Sequence, residues 1–599
     1  MIRRSWSIAL VAPFLFTRFD TAARAAGSAH PIHRSHDVPA KIRCKTHVKP
    51  FGTVRFSDWQ FPDTLNPVQS KLLVTSEIDA GILDGLFIYS DRGALTPVIA
   101  AFVPTGANGG VTDGGRTVTI HLRHGARWSD GSEITSRDLQ FSLAVGKDPA
   151  SGPYCKHTCD VIAHIDAPSR YVAVLRLRRP YAPILAYGLP VLWPYRWRNV
   201  WNGNPHKAAN VLWNDTSFNF EGPDYPTNGP YQVAPGGFKD HSNIVLRPMR
   251  YYSTLTCGAR LDTLVFTYFE SKFDMITAAV KHKTDITQDY TLADAAALTK
   301  HTRALHVRQQ PAYSFEHLEF NVDRTYKSKP NPLANRDVRA ALALAIDKPQ
   351  LAQSALGISP REASAITAWS PLISMPGLVQ PFADTHLRGQ WDPIVHSYIT
   401  STGKGRALAD AKKLLARSPF RSGFTVDFLT ILGNTVRQAQ EGVLAQAWAR
   451  LKVRVAPQYL SAASLFGDWT SGGALAHGQF QVAMYGSTTS PDPDELKFNL
   501  QGKYCDRTSS THPDLNGNYS CIHDSVIDRA LDTGADSLKD QQRAASYARF
   551  QQRLNQMAYW VPLYYRPQLT TTDGRVINFK PNPTQATSEW NMAEWRVHS

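Results

Sequence analysis

Apolar and polar positions alternate at residues 117–123, where Val118, Ile120 and Leu122 stand against Thr119, His121 and Arg123. A period of two is that of a half-buried strand, with one face on a core and one on water. The chain then turns at Asp130-Gly131, and Thr135-Ser136-Arg137-Asp138 has the spacing of a capping box, so a helix is expected from Leu139. Helical spacing recurs at 76–88, where Ile78, Ile82, Leu83 and Leu86 share a face, at 273–281, and at 337–351 through Val338, Leu342 and Ile346. Further strands are expected at 49–56, 172–177, 244–247, 261–269 and 315–322. Residues 406–415 and 439–451 read as helices, each followed by a strand, at 425–430 and 453–459. Alternation of this kind indicates a layered α/β unit. A long helix at 538–557 leads into an aromatic strand at 559–566 that should be buried, whereas 193–226, rich in Trp, Asn, Gly and Pro, reads as loop.

The N-terminus decides the expected compartment. Arg3 and Arg4 precede an apolar run at 8–16, and Ala23-Arg24-Ala25 offers a small-x-small cleavage site, so residues 1–25 are expected to be a secretory signal peptide. Residues 26–47, with His30, His33 and His36, are expected to be a flexible segment. The apolar run is too short to span a bilayer, and no other stretch approaches 18 apolar residues. The expected location is therefore the periplasmic or extracellular side of the cell envelope. The residues before Cys44 lack the small and apolar pattern of a lipid-anchored cysteine, so a lipoprotein is not expected.

Composition narrows the class. With 599 residues, 43% hydrophobic and 19% charged, the chain can build several domains around sizeable cores. The formal charge of +15 is dispersed, with no run of five or six basic residues, so nucleic acid is not an expected partner. Six cysteines form an even set in an exported chain. Fifteen pairings are possible and the sequence does not choose between them; taking local closure first gives Cys155 with Cys159, Cys505 with Cys521, and Cys44 with Cys257 as candidates. The alternative for the first pair is a zinc site of Cys155, His157, Cys159 and His164, which oxidation outside the cytoplasm disfavours.

Catalytic motifs are scarce. There is no Gly-Lys-Ser/Thr phosphate loop, no His-Glu-x-x-His helix and no Gly-x-Ser-x-Gly elbow. Ser401 and Lys404 match a Ser-x-x-Lys pair without its companion motifs, and Asp492 and Asp494 lie in a Pro-rich stretch that favours a turn over acid/base chemistry. An enzyme is not expected, nor is a cofactor or a resident metal.

Six short segments in colinear order carry a family resemblance. Arg127-Trp128-Ser129-Asp130-Gly131 with Ser136-Arg137-Asp138-Leu139, then Arg179-Pro180-Tyr181, Gly229-Pro230-Tyr231 leading to Tyr251-Tyr252, Phe320-Asn321, Arg336-Asp337-Val338-Arg339-Ala340-Ala341-Leu342 and Ile346-Asp347-Lys348 resemble the bacterial extracellular solute-binding proteins of family 5. The resemblance spans about residues 48–590. It implies an α/β periplasmic-binding-protein fold of type II in its large three-domain form, with two lobes, a hinge and a ligand cleft between the lobes. Residues 48–78, 226–308 and 556–599 would form the core of lobe 1, residues 79–225 its extra subdomain, and 309–555 lobe 2.

The resemblance further implies a monomeric receptor that captures an oligopeptide or related small solute and delivers it to an ABC permease driven by cytoplasmic ATPases. A receptor for an oligosaccharide or metal chelate is the alternative, and an exported hydrolase on the same scaffold a weaker one. In peptide receptors of the family an aspartate three residues before an Asp-Pro pairs with the ligand's ammonium; here Thr489 holds that place before Asp492-Pro493. A hydroxyl cannot supply the charge that a buried ammonium needs. The arginine that reads a dipeptide's carboxylate falls at Ile431, with Arg437 nearby. The expected lining of the cleft is Asp58 and Trp59 from lobe 1, and Trp369, Tyr485, Gly486, Ser487, Thr489 and Asp492 from lobe 2.

Overall fold

Two long strands, His306–Phe320 and Trp560–Thr572, lie antiparallel at the middle of a ten-stranded mixed sheet. The computed structural model describes residues 49–598 except 71, 152–155, 190, 198–200, 216–217, 222–223, 240, 253, 255, 289–297, 299–304, 468, 508–516 and 585–588. The expected signal peptide and flexible segment lie outside the described residues.

On one side of the central pair the sheet continues through Ile286–Gln288, Thr53–Asp58, Thr263–Tyr268, Asn243–Pro248 and Tyr231–Lys239. On the other side it continues through Val482–Thr488, Phe424–Ile431 and Val453–Leu460. The two sides grip different ends of the pair. Ile286–Gln288 joins Trp560–Thr572 only at Thr570 to Thr572, whereas Val482–Thr488 joins His306–Phe320 from Ser314 to Phe320. Between those grips the central ladder loses register at Pro311/Phe315, and it slips again at Glu316/His317, inside the second grip. Pro311 stands opposite Pro567 there, and neither has an N–H to give the ladder.

A separate four-stranded antiparallel sheet is ordered Val111–Thr112, Thr117–His121, Val172–Leu177, Ile162–Ser169. Its core is Val118, Ile120, Leu139, Leu175 and Trp128, closed by the helix Ser136–Lys147. The expected capping box is present, with Thr135 Oγ1 and N–H both donating to Asp138 Oδ2, at 2.9 and 2.6 Å. One large core fills the Thr53–Asp58 side of the main sheet, with Phe56, Ile78, Leu246 and Phe266. Another fills the Phe424–Ile431 side, with Leu342, Leu414, Phe428 and Trp448.

Several expected elements differ from those found, each for a local reason. The helix expected at 76–88 is Leu73–Ile82; Leu83 is extended and Phe87–Tyr89 pairs instead as a short hairpin with Leu95–Pro97. The helix expected at 337–351 is two, Arg336–Leu344 and Lys348–Leu356. Asp347 caps the second by accepting from Gln350 N–H, and Pro349 follows where a helix starts best. The loop expected at 193–226 contains a helix, Pro205–Asn214, which Asn204 caps.

The Cys505–Cys521 disulfide is formed, with Cα atoms 5.0 Å apart. Cys159 and Cys257 are also disulfide-bonded, which removes Cys159 from the zinc alternative. Cys44 and Cys155, their expected partners, lie outside the described residues.

Candidate ligand-binding site

The strand Val482–Thr488 pairs along its length with His306–Phe320, but with Phe424–Ile431 only at Val482 and Ala483. Beyond Ala483 its second edge has no strand partner among the described residues. The chain then makes the 3-10 turn Pro493–Glu495, which Asp492 caps by accepting from Asp494 N–H at 3.2 Å. Prolines 491 and 493 limit the conformations of this turn and favour its start.

Within this segment, Tyr485 is buried and donates to the Glu319 carboxylate, with its ring edge-on to His317 and Phe466. Gly486 lies against the Arg566 guanidinium, which a side chain there would strike. The Ser487 carbonyl accepts from Ser314 Oγ at 3.2 Å. Thr489 donates its N–H to the Tyr313 carbonyl at 2.7 Å and its hydroxyl to Gln380 Oε1 at 3.1 Å. Asp492 takes Arg543 Nη2 at 2.6 Å, both side chains being buried. Burial raises the Asp492 pKa, with Asp494 adding to it, against the pull of Arg543.

The other expected lining residues make contacts of their own. Asp58 ends its strand and accepts from the N–H groups of Trp59 and Gln60, at 2.5 and 3.1 Å. Trp59 lies under the Lys272 ammonium, 4.9 Å from the ring centre. Trp369 lies under Lys348 Nζ at 4.2 Å; that amine is fully buried, donates to the Ala368 carbonyl, and has its pKa held well below the usual range by burial.

Spacing along the chain did not point to what covers the 489–497 segment. From the four-stranded-sheet unit, Tyr187 hydrogen-bonds Ser490 Oγ and donates to the Asp492 carbonyl at 2.8 Å, and Tyr181 donates to Asp494 Oδ2. Arg179 pairs with Asp536, and Ala182 N–H donates to the Ala535 carbonyl at 2.8 Å. Lys497 Nζ is 3.1 Å from Asp494 Oδ1 and 5.8 Å from the centre of the Tyr181 ring. Tyr89, from the Phe87–Tyr89 hairpin, feels the charges of Asp492, Arg543 and Glu495, and burial raises its pKa. The sequence signal here is Arg179-Pro180-Tyr181, one of the family segments.

Arg437 is spent elsewhere: it forks onto Glu316 through Nε at 2.6 Å and Nη2 at 3.2 Å. Burial opposes the Glu316 carboxylate, but Arg437 and then Arg566 outweigh it and hold its pKa below the usual range. Ile431 ends its strand and packs against Leu429, Leu465 and Tyr485.

The family model described as "Bacterial extracellular solute-binding proteins, family 5 Middle" matches residues 101–506. The oligopeptide-binding protein OppA of Mycobacterium tuberculosis is 23% identical over 372 residues, which cover 59% of this chain and 58% of that protein. Other curated relatives match over about a fifth to a quarter of their length. Among solved structures, the periplasmic EDTA-binding protein EppA has a TM-score of 0.73 at 18% identity, covering 92% of this chain and 98% of that one. The oligopeptide-binding protein AppA of Bacillus subtilis, in complex with a nonapeptide, has a TM-score of 0.70 at 16% identity, covering 92% and 100%. The fold is thus the expected α/β periplasmic-binding-protein type, and no helix among the described residues is long and apolar enough to cross a membrane. The family consists of solute-binding proteins of the periplasm or cell exterior, and this chain belongs to the bacterial extracellular solute-binding proteins of family 5.

Proposed function

We propose that the chain is the substrate-binding component of an ABC importer, which closes two lobes on an oligopeptide or related small solute and hands it to a membrane permease. The observation that carries this reading is the central strand pair. One group of strands holds it at Thr570 to Thr572, the other at Ser314 to Phe320, and the Pro311–Pro567 pair with the register break at Pro311/Phe315 lies between the two grips. A ladder weakened between two stiff ends is where a hinge bends. Lobe 1 on this reading is 48–78, 226–308 and 556–599 with the subdomain 79–225, and lobe 2 is 309–555.

Supporting the ligand class, AppA holds a nonapeptide, and the edge beyond Met484, whose carbonyl accepts from Thr430 Oγ1, has no strand partner among the described residues and could offer backbone groups to an extended chain. A non-peptide solute is the second reading. Thr489 donates its hydroxyl to Gln380 and Arg437 is held by Glu316, so neither is spare to read a peptide terminus. EppA, an EDTA-binding protein, has the same fold.

The test is a thermal-shift screen of the mature chain against peptides of two to eight residues, oligosaccharides, and nickel with chelators, with and without EDTA. A ligand at 100 Kd adds about 2.7 kcal/mol to the folded state. Shifts with peptides support the first reading, and shifts confined to sugars or chelates support the second. Turnover of a ligand without a stable shift overturns both.

A further inference from the structure

Cys505, Cys521 and His523 bring two sulfurs and an imidazole nitrogen within 4.8 Å of one another, the one group of metal-ligating side chains of this kind among the described residues. The two sulfurs are joined, and His523, which is exposed, lies with Nε2 at 3.6 Å from Cys521 Sγ. Zinc bonds of about 2.3 Å to sulfur and about 2.0 Å to nitrogen, at a tetrahedral angle, set those two atoms about 3.6 Å apart. One edge of a tetrahedral site therefore already has the right length.

The backbone holds the two cysteines together without the help of their bond. The 3-10 turn Gly502–Tyr504 ends at Cys505. Asn518, 1% exposed, donates its N–H to the Tyr504 carbonyl at 2.9 Å and its side-chain amide to the Gln501 and Ile522 carbonyls at 3.1 and 2.9 Å. It also accepts from Ile522 N–H at 3.0 Å. One buried side chain thus clamps the turn before Cys505 to the residues around Cys521, through bonds that involve no sulfur. Gly502 positions the imidazole: Nδ1 of His523 stands 2.9 Å from where a side chain there would begin, and Gly502 N–H donates to Asp528 Oδ1 at 3.1 Å. A carboxylate on the far side of a ligating histidine is a common second support of metal sites.

We propose that Cys505, Cys521 and His523 form a redox-gated metal site, in which the reduced cysteines and His523 Nε2 take a zinc-class divalent cation and the disulfide is the form that excludes it. Thiolate and imidazole donors select such a cation over magnesium or calcium. A dithiol reductant supplies the two electrons and two protons that split the S–S bond into two thiols, and itself closes to a disulfide. Zinc then displaces the two thiol protons, and two thiolates with a neutral imidazole cancel its charge. Thiolates on one zinc stand about 3.8 Å apart, wider than the bonded pair, and rotation at each Cα–Cβ bond opens them.

The test uses the full mature chain, oxidised or reduced by a phosphine, which with one water yields two thiols and the phosphine oxide. Zinc uptake is read by competition with a chromogenic chelator, and cobalt serves as the spectroscopic probe. The reduced wild type is expected to bind one zinc more than the reduced Cys505→Ser, Cys521→Ser double variant, the remaining cysteines being common to both. It should release close to two protons per zinc at pH 7, and with cobalt show sulfur charge-transfer bands and the intense visible absorption of a tetrahedral site. His523→Ala is expected to bind zinc about tenfold or more weakly, since even the loss of an outer partner of a ligand costs that much.

Equal zinc uptake by the reduced wild type and the double variant overturns the inference. So does equal uptake by the oxidised and reduced wild type, a cobalt spectrum without sulfur bands, or wild-type affinity in His523→Ala. Should reduction loosen the fold, thermal midpoints decide: zinc is expected to raise that of the reduced wild type more than that of reduced His523→Ala, and equal shifts overturn the site.

Discussion

The Tyr187 hydroxyl donates to the Asp492 carbonyl oxygen at 2.8 Å across 305 positions of sequence. With the Tyr181–Asp494 bond and the Arg179–Asp536 pair, it ties the four-stranded-sheet unit to the far side of the central strands without passing through them. On the proposed two-lobe reading, a contact of this kind holds the two bodies together only in the closed state. The Tyr181→Phe, Tyr187→Phe double variant removes two hydroxyls and leaves buried acceptors short of donors, at a cost of about 1–3 kcal/mol to the closed state. Small-angle scattering is expected to show a larger radius of gyration for the unliganded variant than for the wild type. An unchanged radius would mean that these bonds do not hold the closed state.

Arg437 and Glu316 form a buried, two-pronged pair beside the register break at Glu316/His317. Removing the arginine leaves Glu316 with Arg566 alone, whose Nε is 3.7 Å away and whose side chain is 38% exposed. Breaking a buried pair from one side costs about 3–5 kcal/mol. Arg437→Met is therefore expected to lower the urea midpoint strongly, and Arg437→Met with Glu316→Leu to recover much of the loss.

The Cys505–Cys521 bond closes a loop with a sequence separation of 16. Loop entropy of that size is worth about 3 kcal/mol. Substituting both cysteines by serine is expected to lower the thermal midpoint by a few degrees in a chain of this length. Reductant should then affect the variant less than the wild type, the remaining cysteines being common to both.

Local signals were legible where a few neighbouring residues settle the matter. The alternation at 117–123 and the Thr135–Asp138 box act over one turn or one strand, and both are found. Periodicity alone misjudged 337–351, because Val338, Leu342 and Ile346 keep their spacing straight across the cap at Asp347. The strand at 306–314 was invisible. Its residues, among them Gln309, Gln310 and Pro311, have no strand pattern of their own, and it is extended because Trp560–Thr572 pairs with it, His306 lying opposite Thr572 and Pro311 opposite Pro567. The site divides in the same way. Tyr485 to Asp492 are contiguous and could be found from a family segment, whereas Tyr89, Tyr187 and Arg543 meet the 489–497 segment from three separate parts of the chain. No spacing encodes that meeting.

His317 gives the protein a predictable response to acid. It is fully buried on the strand His306–Phe320, with ring contacts to Tyr485, Trp560 and Phe315 at 4.5, 4.7 and 5.1 Å. Burial lowers its pKa to about 3, against the pull of Glu316 and with the help of Arg437. In the unfolded chain the imidazole titrates at its ordinary value, about 6.5. Between those values the unfolded state binds the proton and the folded state does not, so stability is lost as pH falls, by about 1.4 kcal/mol per unit for this group. Glu495 acts in the opposite sense between about 8 and its ordinary value, because there the folded state holds the extra proton. Wild-type stability against pH therefore mixes the two, and His317→Leu separates them. Urea unfolding from pH 7 to pH 4 is expected to show the variant losing less stability on acidification than the wild type, with the gap widening steadily below pH 6.5. Parallel curves would mean that the imidazole is already solvated or charged in the folded protein.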